Sequence, residues 1–248
     1  MNKIVKEKLK QGLVMLIIVV TFLITIFIML KYKTEGETNL PYNLTKIMVI
    51  SSAEANAKEQ NENNNKWNLD INQYNDIYIE IGKNNEYKKQ TYITEVKVEN
   101  IYITNPNKGT IEKYMPNPSE GKLFLYEDNL KIVDSLTYNG AEENNTKKLQ
   151  IANQGGTILF RVVNRNISEF ISNDDSELKY DGTLLKRTNV NLNDVKVQMS
   201  FDLIIKTNKT TYKGKVNIDL PCGNIEEDGV SKSIKTSFED IIFKRQVR

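Results

Sequence analysis

An uninterrupted apolar run from Leu13 to Leu30 constrains this chain more than any other part of its sequence. Its 18 residues carry no charge, and 14 of them are Leu, Ile, Val or Phe. As a helix the run would be about 27 Å long, close to the roughly 30 Å hydrocarbon thickness of a bilayer. The sequence therefore predicts a transmembrane helix, with the lipid bilayer as the partner of Leu13 to Leu30.

The flanks of this run favour a permanent signal-anchor over a cleaved signal peptide. A signal peptide has a shorter apolar region, about 7 to 15 residues, followed by small residues at its cleavage site. Here Lys31, Tyr32 and Lys33 follow directly. A buried core helix is disfavoured as well, because such helices are seldom apolar on every face. We expect the helix to remain in the mature protein.

Lysines on the two sides of the run predict its orientation. Those within reach of the membrane are Lys3, Lys6, Lys8 and Lys10 before the run, and Lys31, Lys33 and Lys46 after it. The excess before the run places that side in the cytoplasm. Residues 1–12 are then a short basic cytoplasmic tail, and the C-terminal part lies outside the cell membrane of a single-pass protein.

The composition excludes several functional classes. The chain has no histidine, so it lacks the usual neutral-pH general base and the commonest metal ligand. Its net charge is +2, and because the first 12 residues contribute +3, the remainder carries about −1. Such a charge gives no basic field for nucleic acid. We expect no catalytic residue, no cofactor and no metal.

Cys222 is the single cysteine, so the chain cannot form an internal disulfide. It follows Leu220 and Pro221 at the end of an apolar alternation. A reactive or lipid-modified thiol is one interpretation. The pattern favours the other, a small buried residue at a strand end.

The chain after the run predicts a polar connector over residues 31–43 and one all-β domain over residues 44–248. Residues 44–50, LTKIMVI, form a first apolar strand. Residues 51–66, SSAEANAKEQNENNNK, are polar and show no apolar periodicity. They predict a disordered loop inserted in the domain.

Further along the chain, apolar residues alternate at period two in many short segments, which is typical of β-strands. The predicted strands cover residues 77–81, 92–98, 101–103, 122–126, 157–163, 195–205, 212–220 and 238–243. A change of apolar parity at Glu99-Asn100 predicts a bulge, and residues 207–211 a hairpin turn. Short helices are expected after Asp128 and Asp181. So many strands with so few helices predict an antiparallel sandwich-like domain.

Two groups of side chains are candidate binding sites, each with an ordinary structural alternative. Asp174, Asp175 and Asp181 could hold Ca²⁺ outside the cell, although they lack the spacing of a calcium loop, and solvated loop charge is the default. Trp67 and the tyrosines could form a platform for carbohydrate or peptide. Tyrosines of strands more commonly line a half-buried sheet, and we favour that interpretation.

Two known classes of protein resemble parts of the chain. Lys10-Gln11-Gly12-Leu13 resembles the start of type IV pilins and pseudopilins, which have a basic leader, a glycine and an apolar helix. Those proteins carry an acidic residue five positions after the glycine, where this chain has Ile17. Signal peptidases are similar in placing a β-rich domain after an anchor. Their Ser-Met-x-Pro serine has no counterpart here, because Tyr114 precedes the single Met-Pro pair.

About one residue in eight is asparagine, a bias that indicates an AT-rich bacterial genome. The sequence as a whole predicts a non-enzymatic, single-pass envelope protein of a Gram-positive-type bacterium. Its domain would bind or assemble with other envelope proteins or cell-wall polymer at the outer face of the membrane. A pilin-like or secretion-apparatus component and a membrane-tethered hydrolase are the alternatives.

Overall fold

The computed structural model describes residues 3–61, 66–119, 124–141, 147–172 and 184–246. The helices of this part are α1 (Lys3–Glu35), α2 (Leu184–Arg187), α3 (Leu192–Val195), α4 (Ile225–Asp228) and a 3₁₀ turn at Asp128–Leu130. The strands are β1 (Tyr42–Asn61), β2 (Lys66–Lys83), β3 (Ile93–Ile103), β4 (Thr110–Tyr114), β5 (Ser135–Gly140), β6 (Gln150–Ile151), β7 (Gly155–Ile171), β8 (Val197–Thr207), β9 (Thr211–Leu220), β10 (Val230–Lys235) and β11 (Lys244–Gln246). One long N-terminal helix thus precedes a domain built mainly of β-sheet.

Helix α1 contains the predicted span and continues beyond it on both sides. Both neighbouring elements extend into the predicted connector of residues 31–43, since α1 runs to Glu35 and β1 begins at Tyr42. Gly36 ends the helix with a φ of 70°, and its amide donates to the Tyr32 carbonyl at 2.9 Å. Helices commonly end at a residue in this left-handed conformation. Glycine adopts it readily because it has no Cβ, whereas residues with a side chain disfavour it. Only residues 36–41 join the helix to the domain.

The first sheet has five strands in the order β10-β1-β2-β7-β4, with every neighbouring pair antiparallel. Its β1–β2 hairpin overturns the prediction of a disordered loop for residues 51–61 and Lys66, and residues 62–65 of that predicted loop lie outside the described residues. Ser51 to Asn61 continue β1 and pair in register with β2, from Ser51 opposite Asn75 to Asn61 opposite Lys66. The small side chains of Ala53 and Ala55 gave too weak an apolar signal in the sequence. In the fold, Ala55 lies opposite Ile71 and is buried.

The second sheet has six strands in the order β11-β9-β8-β3-β5-β6. The pair β5–β6 is parallel, and the other pairs are antiparallel. The predicted late hairpin is confirmed as β8 and β9, joined at residues 208–210. The predicted bulge is also confirmed, since the β3–β8 register shifts between Glu99 and Tyr102 and Asn100 has a φ of 53°.

Other sequence expectations are wrong. Residues 124–127 form no strand, and residues 120–123 lie outside the described part. Residues 238–243 are irregular because Ile241 and Phe243 turn into the core without a strand partner, and β11 begins only at Lys244. Val195 ends α3 and does not begin a strand.

The expected short helices are present. Short helical segments follow Asp128 and Asp181, although residues 181–183 are outside the described ranges.

Both sheets contribute to one apolar core. Ile77 and Ile79 of β2, and Val96 and Leu203 from the other sheet, are all 0% exposed. The Phe160 ring of β7 meets the Phe201 ring of β8 edge to face, with centroids 5.7 Å apart. Edge-to-face packing suits the charge distribution of aromatic rings.

A second apolar cluster stabilises the far part of the β1–β2 hairpin. Its buried members are Ala55, Leu69, Ile71, Ile167, Leu185, Val190, Val195 and Ile225. Between the two clusters, the Asn75 side-chain oxygen accepts from Ser51 Oγ at 2.7 Å and from Gln73 Nε2 at 3.2 Å. Burial in this cluster explains why so polar a sequence forms long strands.

Candidate functional site

Helix α1 carries the largest run of exposed apolar side chains on the described chain. Phe22 is 64% exposed and Phe27 is 67% exposed, and no described residue of the chain buries the most apolar window of α1. The hydroxyls of Thr21 and Thr25 donate at 2.8 Å to the carbonyls four residues earlier, so their polarity is satisfied within the helix. By length and composition, α1 is able to cross a bilayer.

The end of α1 contacts the C-terminal segment of the domain, and we call this contact the helix junction (Tyr32, Gly36, Glu37, Phe243 and Arg245). The Glu37 amide donates to the Phe243 carbonyl at 2.7 Å, and the Arg245 amide donates to the Tyr32 hydroxyl at 2.9 Å. Arg245 Nη2 also lies 3.0 Å from Glu37 Oε2. These contacts could not be predicted from the sequence, because the residues that form them lie more than 200 positions apart.

The outer face of the five-stranded sheet holds an aromatic–arginine cluster, consisting of Tyr74, Tyr114, Phe124, Tyr126, Arg161 and Arg165. Arg161 bonds Asp76 through two nitrogens, with distances of 2.5 and 2.8 Å. It also donates to the Tyr126 hydroxyl at 2.7 Å, and its guanidinium lies 4.4 Å from the centre of the Phe124 ring. Asp76 and Arg161 are paired in register, so the sheet itself sets their approach.

Arg165 forms the second half of the aromatic–arginine cluster. Its guanidinium lies 4.2 Å from the centre of the Tyr126 ring, and its Nε donates to Glu112 Oε2 at 2.9 Å. Glu112 also accepts from the Tyr114 hydroxyl at 2.7 Å and pairs with Lys131 at 3.0 Å. Burial acts to raise the pKa of Glu112, but hydrogen bonds from Tyr114, Lys131 and Arg165 outweigh it and lower the pKa to about 2. These contacts fasten residues 124–131 to the sheet.

The residues of the predicted aromatic platform do not lie together in the structure. Trp67 is half-buried against the second apolar cluster and takes no part in the aromatic–arginine cluster. Tyr74 is 3% exposed and Tyr114 2%, whereas Tyr126 is 44% exposed. Most of these rings therefore stabilise the sheet, and Tyr126 alone presents a large aromatic surface from this group.

An apolar strip crosses the same face toward the sheet edge at β10. Val230 is 57% exposed and Ile234 is 52% exposed. Ile234 pairs with Met48, and Met48 pairs with Tyr78, so these side chains lie in a row on the outer face. We call Val230, Ile234, Met48 and Tyr78 the edge strip. Among the described strands β10 pairs only with β1, so its other side is an edge of the sheet.

The remaining candidate residues show no assembled site. Asp174, Asp175 and Asp181 lie outside the described residues. Among the residues that are described, no group of three or more Cys, Asp or Glu is arranged to hold a metal ion. Cys222 is buried, and its thiol lies 3.3 Å from the Val49 carbonyl and 3.4 Å from that of Ser231. The interpretation of Cys222 as a small buried residue is confirmed.

No protein family, curated protein or solved structure matches this chain. The functional argument therefore depends on α1, the helix junction and the outer face of the five-stranded sheet.

Proposed function

We propose that this chain is a single-pass, membrane-anchored bacterial envelope protein that acts by binding and not by catalysis. Its domain would bind other envelope proteins, or wall polymer, at the outer face of the membrane. The observation that carries the proposal is the exposure of every side chain in the most apolar window of α1. Such a surface is unfavourable in water, and a bilayer would cover it.

Orientation follows from the lysines that flank α1. The reverse arrangement would require the basic tail to move across the bilayer, which is unfavourable. The N-terminus is therefore cytoplasmic and the domain extracytoplasmic.

In this proposal the two sheets form an antiparallel sandwich. Support comes from their shared core and from the edge-to-face contact between Phe160 and Phe201.

A binding role is supported by the edge strip. Val230 and Ile234 present apolar surface beside the side of β10 that pairs with no other described strand. An extended segment of another protein gains hydrogen bonds from such an edge and apolar contacts from the side chains next to it. The two arginines of the aromatic–arginine cluster are paired with carboxylates, Arg161 with Asp76 and Arg165 with Glu112, which suits a rigid support better than acid–base chemistry.

A topology experiment tests the anchor. Trypsin added to intact protoplasts should digest the domain while leaving a fragment that contains α1 in the membrane. Protection of the domain until the protoplasts are lysed would overturn the proposed orientation. A mature protein that starts at Leu13 would contradict a permanent anchor and support a pilin-like protein.

A crosslinking experiment tests the binding role. A photoreactive amino acid in place of Ile234 should capture a specific partner in living cells. The matched control carries it in place of Tyr102, which is 65% exposed on the six-stranded sheet. Equal labelling at the two positions would contradict the edge strip as the binding face.

A further inference from the structure

We infer that the end of the β domain next to α1 binds the anionic phospholipid headgroups of the leaflet from which α1 emerges. The inference rests on the proposed function, because it takes α1 as the membrane span. We call this surface the basic end, and it consists of Lys33, Lys88, Lys89, Lys209, Lys244 and Arg245.

Pairing between elements brings these residues to one end of the domain. The Asn84 amide donates to the Pro41 carbonyl at 2.9 Å, which fixes the loop of residues 84–92 beside the end of the connector. The Asn208 amide donates to the Tyr92 carbonyl at 3.1 Å, which joins the β8–β9 turn to that loop. β9 pairs with β11 from its first residue, so Lys244 and Arg245 lie at the same end.

The helix junction sets the height of this surface above the membrane. Tyr32 is the second residue after Leu30, which is a rise of about 3 Å along the helix. Its hydroxyl accepts a hydrogen bond from the Arg245 amide at 2.9 Å. Headgroups extend about 5 to 7 Å beyond the hydrocarbon on each side of a bilayer, so Arg245 lies at their level.

The charges of the basic end are suited to phosphate. Lys33, Lys88, Lys89 and Lys209 are exposed, and none of them forms an ion pair with a described residue. Near the connector, the acidic groups are Glu86, which is exposed, Glu35, which pairs with Lys31, and Glu37, which pairs with Arg245. Asp202 and Asp240 line the same surface depression as Lys244 and Arg245, and they pair with Lys213 and Lys235. At physiological salt, charges attract one another over a screening length of roughly 8 Å. Headgroup phosphates at the level of Arg245 would therefore attract the charges of the basic end.

The other end of the domain provides a contrast. Lys108 there pairs with Asp194, and Lys186 pairs with Glu227. At the basic end, Tyr92 adds an exposed aromatic ring, of the kind that is enriched at membrane interfaces. A lipid headgroup is a better fit than an anionic wall polymer, because the headgroups already occupy the level at which Arg245 lies.

Hydrogen exchange of the full-length chain in nanodiscs tests the inference. Exchange over residues 84–92 should be at least threefold slower in discs containing phosphatidylglycerol than in discs of phosphatidylcholine alone. Each lysine near an anionic surface is worth about fivefold in association, so Lys88→Glu/Lys89→Glu should abolish the difference. The matched control Lys196→Glu/Lys232→Glu changes the charge equally on exposed residues away from the basic end and should retain it.

The outcomes separate this inference from the proposed function. Equal exchange in both lipids, with the amides of α1 protected, would overturn lipid binding and leave the anchor intact. Rapid exchange throughout α1 would instead contradict the membrane span. Protection of residues 84–92 by soluble glycerol-phosphate polymer, without any effect of phosphatidylglycerol, would overturn the lipid in favour of the polymer.

Discussion

The amide of Glu37 donates a hydrogen bond to the carbonyl of Phe243 at 2.7 Å, joining the end of the N-terminal helix to the C-terminal segment of the domain. Arg245 strengthens this contact through Tyr32 and Glu37. The helix therefore meets the domain at a defined surface. Under the proposed anchoring, this contact would fix which end of the domain faces the membrane.

Replacing Gly36 should loosen that contact. A Cβ at position 36 would lie 2.4 Å from the Phe243 carbonyl oxygen, and the φ of 70° opposes any L side chain. Gly36→Ala should cost about 1–3 kcal/mol and raise hydrogen exchange at the Glu37 amide about tenfold or more. Gly12→Ala is the matched control, because its Cβ would meet no atom within 4 Å and alanine favours a helix. Equal effects of the two substitutions would contradict a specific role for Gly36.

Removing one ring of the Phe160–Phe201 contact should destabilise the core that the two sheets share. Phe201 is 1% exposed, and Phe201→Ala should lower the free energy of unfolding by about 3–5 kcal/mol. Urea unfolding of the detergent-solubilised chain, followed by tryptophan fluorescence, measures the loss. Tyr102→Ala removes a ring that is 65% exposed and should change stability by about 0.5 kcal/mol or less. A loss below about 1 kcal/mol for Phe201→Ala would argue against a core shared by the two sheets.

Glu112 should make the free energy of unfolding depend on pH in the acidic range. Its folded pKa of about 2 lies below the ordinary 4.5, so its contribution is present above pH 4.5 and is lost as the pH falls toward 2. Glu112→Gln should therefore destabilise the chain by about 1–3 kcal/mol at pH 7, and this difference should shrink between pH 4.5 and 2. Unfolding at several pH values tests this, with the exposed Glu127→Gln as control. A loss of stability in Glu112→Gln that is the same at every pH would contradict the lowered pKa of Glu112.

Tyr138 should give the corresponding effect in alkali. Its hydroxyl donates to the Leu159 carbonyl at 2.8 Å and accepts from the Leu159 amide at 3.1 Å, linking β5 to β7. Burial raises the pKa of Tyr138 to about 12, so its contribution is complete below pH 10 and is lost as the pH rises to 12. Tyr138→Phe should cost about 1–3 kcal/mol at pH 7, and the variant should show a smaller decline of stability above pH 10. Tyr92→Phe, at an exposed ring, should leave both quantities unchanged.

Elements with strong apolar alternation could be predicted from the sequence. The hairpin of β8 and β9 and the inward row Ile77, Ile79 and Ile81 follow from side chains that point to opposite faces at successive positions. The Glu99-Asn100 bulge could also be predicted, because a change of parity needs an extra residue. Weakly patterned segments could not: β10 has no clear alternation, and β1 beyond Ser51 depends on contacts with α2 and α4.

The sequence by itself determined a helix long and apolar enough to cross a bilayer, because insertion depends on composition and length, which are local properties. It also determined a β-rich domain with a buried Cys222. Only the tertiary structure decided that Gly36 meets Phe243, that Arg161 and Arg165 are held by Asp76 and Glu112, and that the loop of residues 84–92 contacts the β8–β9 turn. Those relationships join residues far apart in the chain, and the register of the strands, which no local pattern encodes, brings them together.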